Sequence, residues 1–245
     1  MEATQTKQST STQADQKQFF ILYKPKDIVS GDFYYALSHK TASSPNEKFY
    51  MCTADCTGHG VPGAFMSMLN ISYLNESIIE KNITHPNQVL DHIRNEIISS
   101  LNPEGSEEES KDGMDCVLCA FDFENMELEY AAANNPLWLL RGGKLTEYKA
   151  DKMPVGKYND EMKPFTSNKV KLERGDIVYT FTDGYADQFG GPKGKKFKYK
   201  QLEEKILSVS HLPMDDQKRM LNDAIEEWKG NLEQVDDILV IGIKI

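Results

Sequence analysis

The 245-residue chain lacks any run of about 18 uninterrupted apolar residues, so no segment is suited to cross a bilayer as a helix. Its N-terminus also lacks the apolar stretch of a secretory signal. Positive charge is scarce, with 28 Lys plus Arg against 38 Asp plus Glu, a formal balance of −10. Nucleic-acid affinity rests on cations that displace counterions from phosphates, so nucleic acid is not an expected partner, and an anionic membrane surface is disfavoured for the same reason. These absences lead to the expectation of a soluble, cytoplasmic chain. What is present, 39% hydrophobic and 10% aromatic residues, is enough for a proper core in one or two domains.

Four cysteines over this length do not make a disulfide scaffold. Cys116 and Cys119 form a CxxC, but they fall in an apolar run that reads as a strand, where positions three apart face opposite ways. They are not placed to chelate one ion. Cys52 and Cys56 share parity, yet no second Cys or His pair stands at zinc-ribbon spacing. All four are expected to be small packing residues in a reducing compartment.

Residues 1–18 are almost entirely Thr, Gln, Ser, Lys and Ala, the composition of a disordered leader, and the fold is expected to occupy residues 19–245. Runs at 19–23, 32–38 and 48–54 are rich in β-favouring residues and read as strands. Pro62 and Pro86 each open a stretch with amphipathic-helix spacing. After an acidic loop at 102–113, runs at 115–123, 128–132, 137–140 and 145–148 read as a β-meander, with Arg-Gly-Gly-Lys as a hairpin signal. Strands near 169–173 and 177–181, helices near 199–209 and 213–228, and a strand at 238–245 complete the chain. There is no internal repeat. Consecutive strands and paired helices argue for an α+β fold with hairpin-connected sheets covered by helix pairs.

Several aspartates recur at strand ends beside small residues: Asp32 in Val-Ser-Gly-Asp-Phe, Asp55 in Thr-Ala-Asp-Cys-Thr-Gly-His-Gly, Asp183 in Phe-Thr-Asp-Gly, and the pair Asp236 and Asp237. An unpaired buried carboxylate is costly, so each must face water, a partner or a cation. Any one of them could be a simple turn. Together, without Arg or Lys beside them, they suggest a hard-cation site, because Mg²⁺ and Mn²⁺ prefer oxygen ligands.

The motifs Ser30-Gly31-Asp32, Asp55-Cys56-Thr57-Gly58-His59-Gly60-Val61-Pro62-Gly63, Gly175-Asp176 leading to Thr182-Asp183-Gly184, and Asp236-Asp237 resemble the metal-dependent serine/threonine phosphatases of the protein phosphatase 2C superfamily, in its SpoIIE and RsbU branch. The resemblance spans residues 19–245 in the family's motif order. It implies a four-layer αββα sandwich of two packed antiparallel sheets flanked by helix pairs. It also implies a site holding two Mn²⁺ or Mg²⁺ ions. By motif, Asp55 would bridge both ions, the Cys56 backbone carbonyl would lie beside it, and Asp32, Asp183 and Asp236 would complete the set. The implied chemistry is attack on phosphoserine or phosphothreonine by a hydroxide shared between the two cations. The chain has no Cys-x5-Arg phosphate loop, in agreement with a route that forms no covalent phospho-enzyme. His59 could shuttle a proton or fix the loop. The branch implies a phosphorylated protein substrate of the anti-sigma-factor-antagonist kind and an upstream sensor module, and it leaves a homodimer open.

Two positions depart from the family pattern: Leu239 stands where a Thr usually follows the last Asp pair, and Asn134-Asn135-Pro136 replaces a segment that often carries Gly-His. The alternative to an enzyme is a pseudophosphatase that keeps the fold and signals by docking. Gly58-x-Gly60-x-x-Gly63 formally matches a dinucleotide fingerprint, but Asp55 would face the pyrophosphate and a second helix follows where a parallel strand is needed. Residues 193–200 concentrate five lysines. They form either a solvated loop or a flap in which Lys193, Lys195 and Lys196 attract a phosphoprotein.

Overall fold

The computed structural model describes residues 17–40, 46–101, 111–158 and 162–245. Nearly all of the leader and most of the acidic loop lie outside the described residues.

Two antiparallel sheets form the centre. The larger joins β2 (Asp32–His39), β3 (Lys48–Cys56), β4 (Gly113–Asp122), β5 (Glu127–Ala133) and β9 (Asn168–Lys171) in that order, with the two-residue β8 (Val155–Gly156) paired to β4. The other runs β1 (Phe19–Lys24), β13 (Ile238–Lys244), β10 (Ile177–Phe181), β6 (Leu137–Arg141) and β7 (Lys144–Tyr148).

Strand alternation assigns every face. In β3, Tyr50, Cys52, Ala54 and Cys56 point to one side, where Met66, Leu74, Leu90 and Ile93 of the helices α1 (Gly60–Asn75) and α2 (Pro86–Leu101) cover them. Met51, Val117, Cys119 and Phe121 point the other way and meet Leu139, Val178, Leu239 and Ile241 of the second sheet. That sheet's outer side, with Tyr179, Phe181 and Val240, lies beneath Leu202, Ile206, Leu221 and Ile225 of α4 (Tyr199–Val209) and α5 (Met214–Lys229). The central strands are therefore covered on both faces and read as nearly continuous apolar runs. Each fully buried Leu, Ile or Phe contributes about 1.5–3 kcal/mol of transfer free energy. A buried Thr53–Thr180 hydroxyl pair, 2.6 Å apart, is a polar joint between the sheets.

This is the αββα sandwich. All four cysteines are buried and free, with Cys116 in the helix-facing layer and Cys119 between the sheets, as the spacing requires. The meander is corrected. β4 and β5 pair within the larger sheet, whereas β6 and β7 pair in the other, so the chain changes sheets at residues 134–136. Asn134 adopts φ of +57° there, and the N–H of Asp151 bonds the Ala132 carbonyl where a hairpin partner would have stood. Among the described residues, no helix is long and apolar enough to cross a membrane.

Candidate active site

Register brings the carboxylates together. Asp32 opens β2 and lies opposite Asp55 in β3, and Asp55 in turn lies opposite Asp115 in β4. Three neighbouring strands thus carry an aspartate in one row, an arrangement that is repulsive between like charges. Their parity is that of Met51 and Val117, so the row faces the space between the sheets. From the other sheet come Asp183, two residues after β10, and Asp236, two residues before β13, with β10 and β13 adjacent. Five carboxylates therefore meet at one end of the sandwich.

Three glycines let the chain close this tightly. A Cβ on Gly31 or on Gly63 would collide with the Gly58 carbonyl oxygen, so the Ser-Gly-Asp loop, the Gly-His-Gly turn and the start of α1 nest into one another. Gly184 opens the short α3 (Gly184–Asp187) and abuts the Asp237 carbonyl oxygen, so Thr-Asp-Gly fits only with glycine third. Ser67 from α1 donates to the Gly31 carbonyl at 2.6 Å and fixes the same nest.

Burial and mutual repulsion favour the protonated form of Asp55, Asp32, Asp183 and Asp115. Burial first, then Asp32, Asp183, Asp236 and Asp115, push Asp55 up to about 10. Burial raises Asp32 to about 8, with Asp237, Asp236 and Asp183 adding to the rise and the Thr182 hydroxyl opposing it. Burial also raises Asp183 and Asp115. The charged groups that weigh on Asp32 and Asp55 are all carboxylates, whereas Lys152 bears on Asp115. An open cleft of about 190 Å³ lined by Asp55, Cys56, Thr57, Gly58, Met114, Asp115 and Pro154 gives access. A larger cleft of about 820 Å³, between the edge strands β1 and β2, is lined by Phe19, Ile21, Tyr34 and Phe49 and carries none of these groups.

Asp32, Asp55, Cys56, Asp183 and Asp236 are thus brought to one place. Among the described residues, no three of the four aspartates have carboxylate oxygens all within 4.8 Å of one another. The Cys56 thiol is turned away, accepting from Asn70 at 3.4 Å, and burial pushes it up to about 12. His59 sets Nδ1 3.2 Å from Asp27 Oδ2 at the head of α1. Lys196 pairs with Asp187 at 2.6 Å, and Lys193 and Lys195 lie exposed in or beside a small hairpin, β11 (Phe189–Gly190) with β12 (Lys195–Lys196).

Asp115 was not singled out from sequence, whereas Asn134, Thr182 and Asp237 stood in the quoted motifs without the roles that the structure shows. Asp115 repeats the Asp-Cys dipeptide of Asp55-Cys56, and that repeat is the signal for it. Asn134 donates to Asp115 at 2.8 Å, so the Asn134-Asn135-Pro136 departure places an amide on the carboxylate row. Thr182 donates to Asp32 at 2.7 Å and accepts the Leu239 N–H at 3.1 Å, supplying a hydroxyl where Leu239 brings none. Asp237 accepts the N–H groups of Lys26 at 2.7 Å and Gly31 at 2.9 Å, so this buried carboxylate ties down the loop that delivers Asp32.

The family model for Stage II sporulation protein E (SpoIIE) matches residues 45–245. The SiaA PP2C domain of Pseudomonas aeruginosa superposes with a TM-score of 0.80 at 27% identity, over 93% of this chain and 86% of that one. The PP2C phosphatase domain of Bacillus subtilis SpoIIE, with a fragment of its regulatory domain, gives 0.69 at 19% identity over 93% and 63%. The RsbU and RsbW domains of a Mycobacterium tuberculosis protein give 0.68 at 17% identity over 92% and 59%. The chain therefore spans less than two thirds of the last two. No curated protein matches the chain.

Proposed function

The chain belongs to the SpoIIE family, and from that premise we propose that it is a metal-dependent protein-serine/threonine phosphatase of bacterial signalling. Asp32, Asp55, Asp183 and Asp236, with the Cys56 backbone carbonyl, would hold two Mn²⁺ or Mg²⁺ ions. The observation that carries this reading is the crowding of carboxylates against one another without a compensating cation on Asp32 or Asp55. Protonation relieves such repulsion in the metal-free fold, and a bound cation relieves it while leaving the donors ionised. The donors are all oxygen, the set that suits hard divalent cations.

When bound, such ions lower the pKa of water and offset charge on a phosphoryl group. The chain's own residues orient the donors. Thr182 fixes one oxygen of Asp32, Asp237 anchors the loop before it, and Asn134 holds Asp115. The four buried cysteines offer no nucleophile, in keeping with direct transfer to water. The substrate proposed is a phosphorylated protein of the anti-sigma-factor-antagonist kind, with input from a sensor module.

The test is Mn²⁺-dependent phosphate release from p-nitrophenyl phosphate and from a phosphoserine peptide. The wild-type chain should hydrolyse both, and Asp55→Asn should lose ~100-fold or more, since even residues behind metal ligands cost 10–100-fold. Equal rates for the two chains, or hydrolysis indifferent to metal, would overturn the metal-dependent reading, and no hydrolysis by the wild-type chain would leave a docking module.

A further inference from the structure

A second group of metal-ligating side chains lies away from the aspartates. After Asn75 the chain continues through a π-helical turn, Glu76–Glu80, before α2 packs back against it. Glu76 from that turn and His92 and Glu96 from α2 each present a ligand atom, all within 4.8 Å of one another. His92 and Glu96 are four apart and share a helix face, the spacing at which two side chains of one helix grip a single ion.

The His92 ring lies between the two carboxylates, Nε2 3.8 Å from Glu76 Oε1 and Nδ1 3.6 Å from Glu96 Oε1. Both separations exceed a hydrogen bond. Nε2 is shut off from solvent and has no hydrogen-bond partner, although burying a polar atom unpaired is costly. An ion is held by one ring nitrogen, and one nitrogen of His92 lies with a Glu76 and a Glu96 oxygen inside a 4.8 Å span, close enough for small rotamer changes to bring all three to an ion bound at roughly 2.0–2.2 Å. Lys81 places Nζ 2.9 Å from Glu76 Oε1 and 4.0 Å from Glu96 Oε1, so an ammonium already sits where positive charge is wanted. Its half-exposed flexible stem lets it swing out.

We infer that Glu76, His92 and Glu96 form a separate binding site for a zinc-class divalent cation, pinning the end of the α1 segment to α2. The mixed imidazole and carboxylate set suits Zn²⁺, whereas the all-oxygen aspartates suit Mg²⁺ or Mn²⁺. The inference does not depend on the phosphatase reading.

The test is titration of the metal-free chain with Zn²⁺ and with Co²⁺ as a visible-absorbing substitute, compared with Asp55→Asn and with the double variant Glu76→Gln, Glu96→Gln. Both glutamates are partly exposed, so the double variant should fold. The expected result is a Zn²⁺-dependent rise in Tm and a Co²⁺ ligand-field band in both the wild-type chain and Asp55→Asn. In the double variant the band should be lost and the Kd for Zn²⁺ weakened at least tenfold, with Mn²⁺-dependent phosphate release unchanged. A double variant that binds as many equivalents of Zn²⁺, equally tightly and with the same Tm shift, overturns the site. So does loss of the Co²⁺ band in Asp55→Asn alone.

Discussion

Thr182 and Asp32 come from different sheets, and their hydrogen bond at 2.7 Å joins the two halves of the carboxylate cluster. The same hydroxyl takes up the buried N–H of Leu239. Replacing Thr182 by Val keeps the shape but removes both bonds. The orphaned N–H should cost about 1–3 kcal/mol in urea unfolding. Asp32, without the one hydrogen bond that opposes its protonation, should also bind Mn²⁺ several-fold more weakly. Thr182→Ser should restore both quantities. A Val variant with wild-type Mn²⁺ affinity would remove Thr182 from the site.

The adjacent Asp236 and Asp237 carry different tasks. Asp237 is buried and spends both oxygens on the N–H groups of Lys26 and Gly31, whereas Asp236 is only partly buried and faces the cluster. Asp237→Ala should destabilise the fold by about 3–6 kcal/mol, since hydrogen bonds to a charged group are worth about 1.5–3 kcal/mol each and two donors are left unpaired. Asp236→Asn should leave urea unfolding nearly unchanged and abolish Mn²⁺-dependent phosphate release. The reverse pattern would exchange the two assignments.

The raised carboxyls make a signed prediction about pH. Asp32 and Asp55 stay protonated in the metal-free fold up to about 8 and about 10, against 3.8 for the free side chain. Across that span the folded chain binds more protons than the unfolded one, so stability falls as pH rises. With chelator present, Tm should decline between about pH 5 and about pH 8. Asp55→Asn, which has no proton to lose there, should decline less. Saturating Mn²⁺ should abolish the trend in the wild-type chain, because a bound cation favours the ionised form. A metal-free Tm that stays level or climbs across the window contradicts the repulsion on which the metal assignment rests.

What could be read from sequence was whatever had a period or a steric rule behind it. β3, β4, β10 and β13 announced themselves as apolar runs, and their parity sorted Cys116 from Cys119 correctly. The glycines at 31, 63 and 184 stood in the quoted motifs, and the structure shows why: each lies at a close chain approach. The change of sheet at residues 134–136 was hidden, because a short polar turn with an Asn at positive φ looks locally like a hairpin. Only the tertiary contacts of Ala132 and Asn134 with Asp151 separate the two cases. Asp115 was missed because its meaning comes from register, as the residue opposite Asp55, and the repeated Asp-Cys dipeptide alone does not give the register. Likewise β8, β11 and β12 are two residues long, too short to show alternation.

The lysine-rich hairpin divides its charges, and the division can be tested. Lys196 is committed to Asp187, whose own charge helps to raise Asp183. Lys196→Gln would release Asp187 and make the field at the aspartates more negative, so it should tighten Mn²⁺ binding and change hydrolysis of every substrate alike. Lys193 and Lys195 are exposed on an otherwise acidic protein and are placed to act at a distance on an incoming polyanion. Replacing both by Gln should raise KM for a phosphoprotein several-fold and flatten its salt dependence, with p-nitrophenyl phosphate hydrolysis unchanged. If KM for the phosphoprotein stays at the wild-type value, the hairpin is only a solvated turn and the substrate is gathered by another surface.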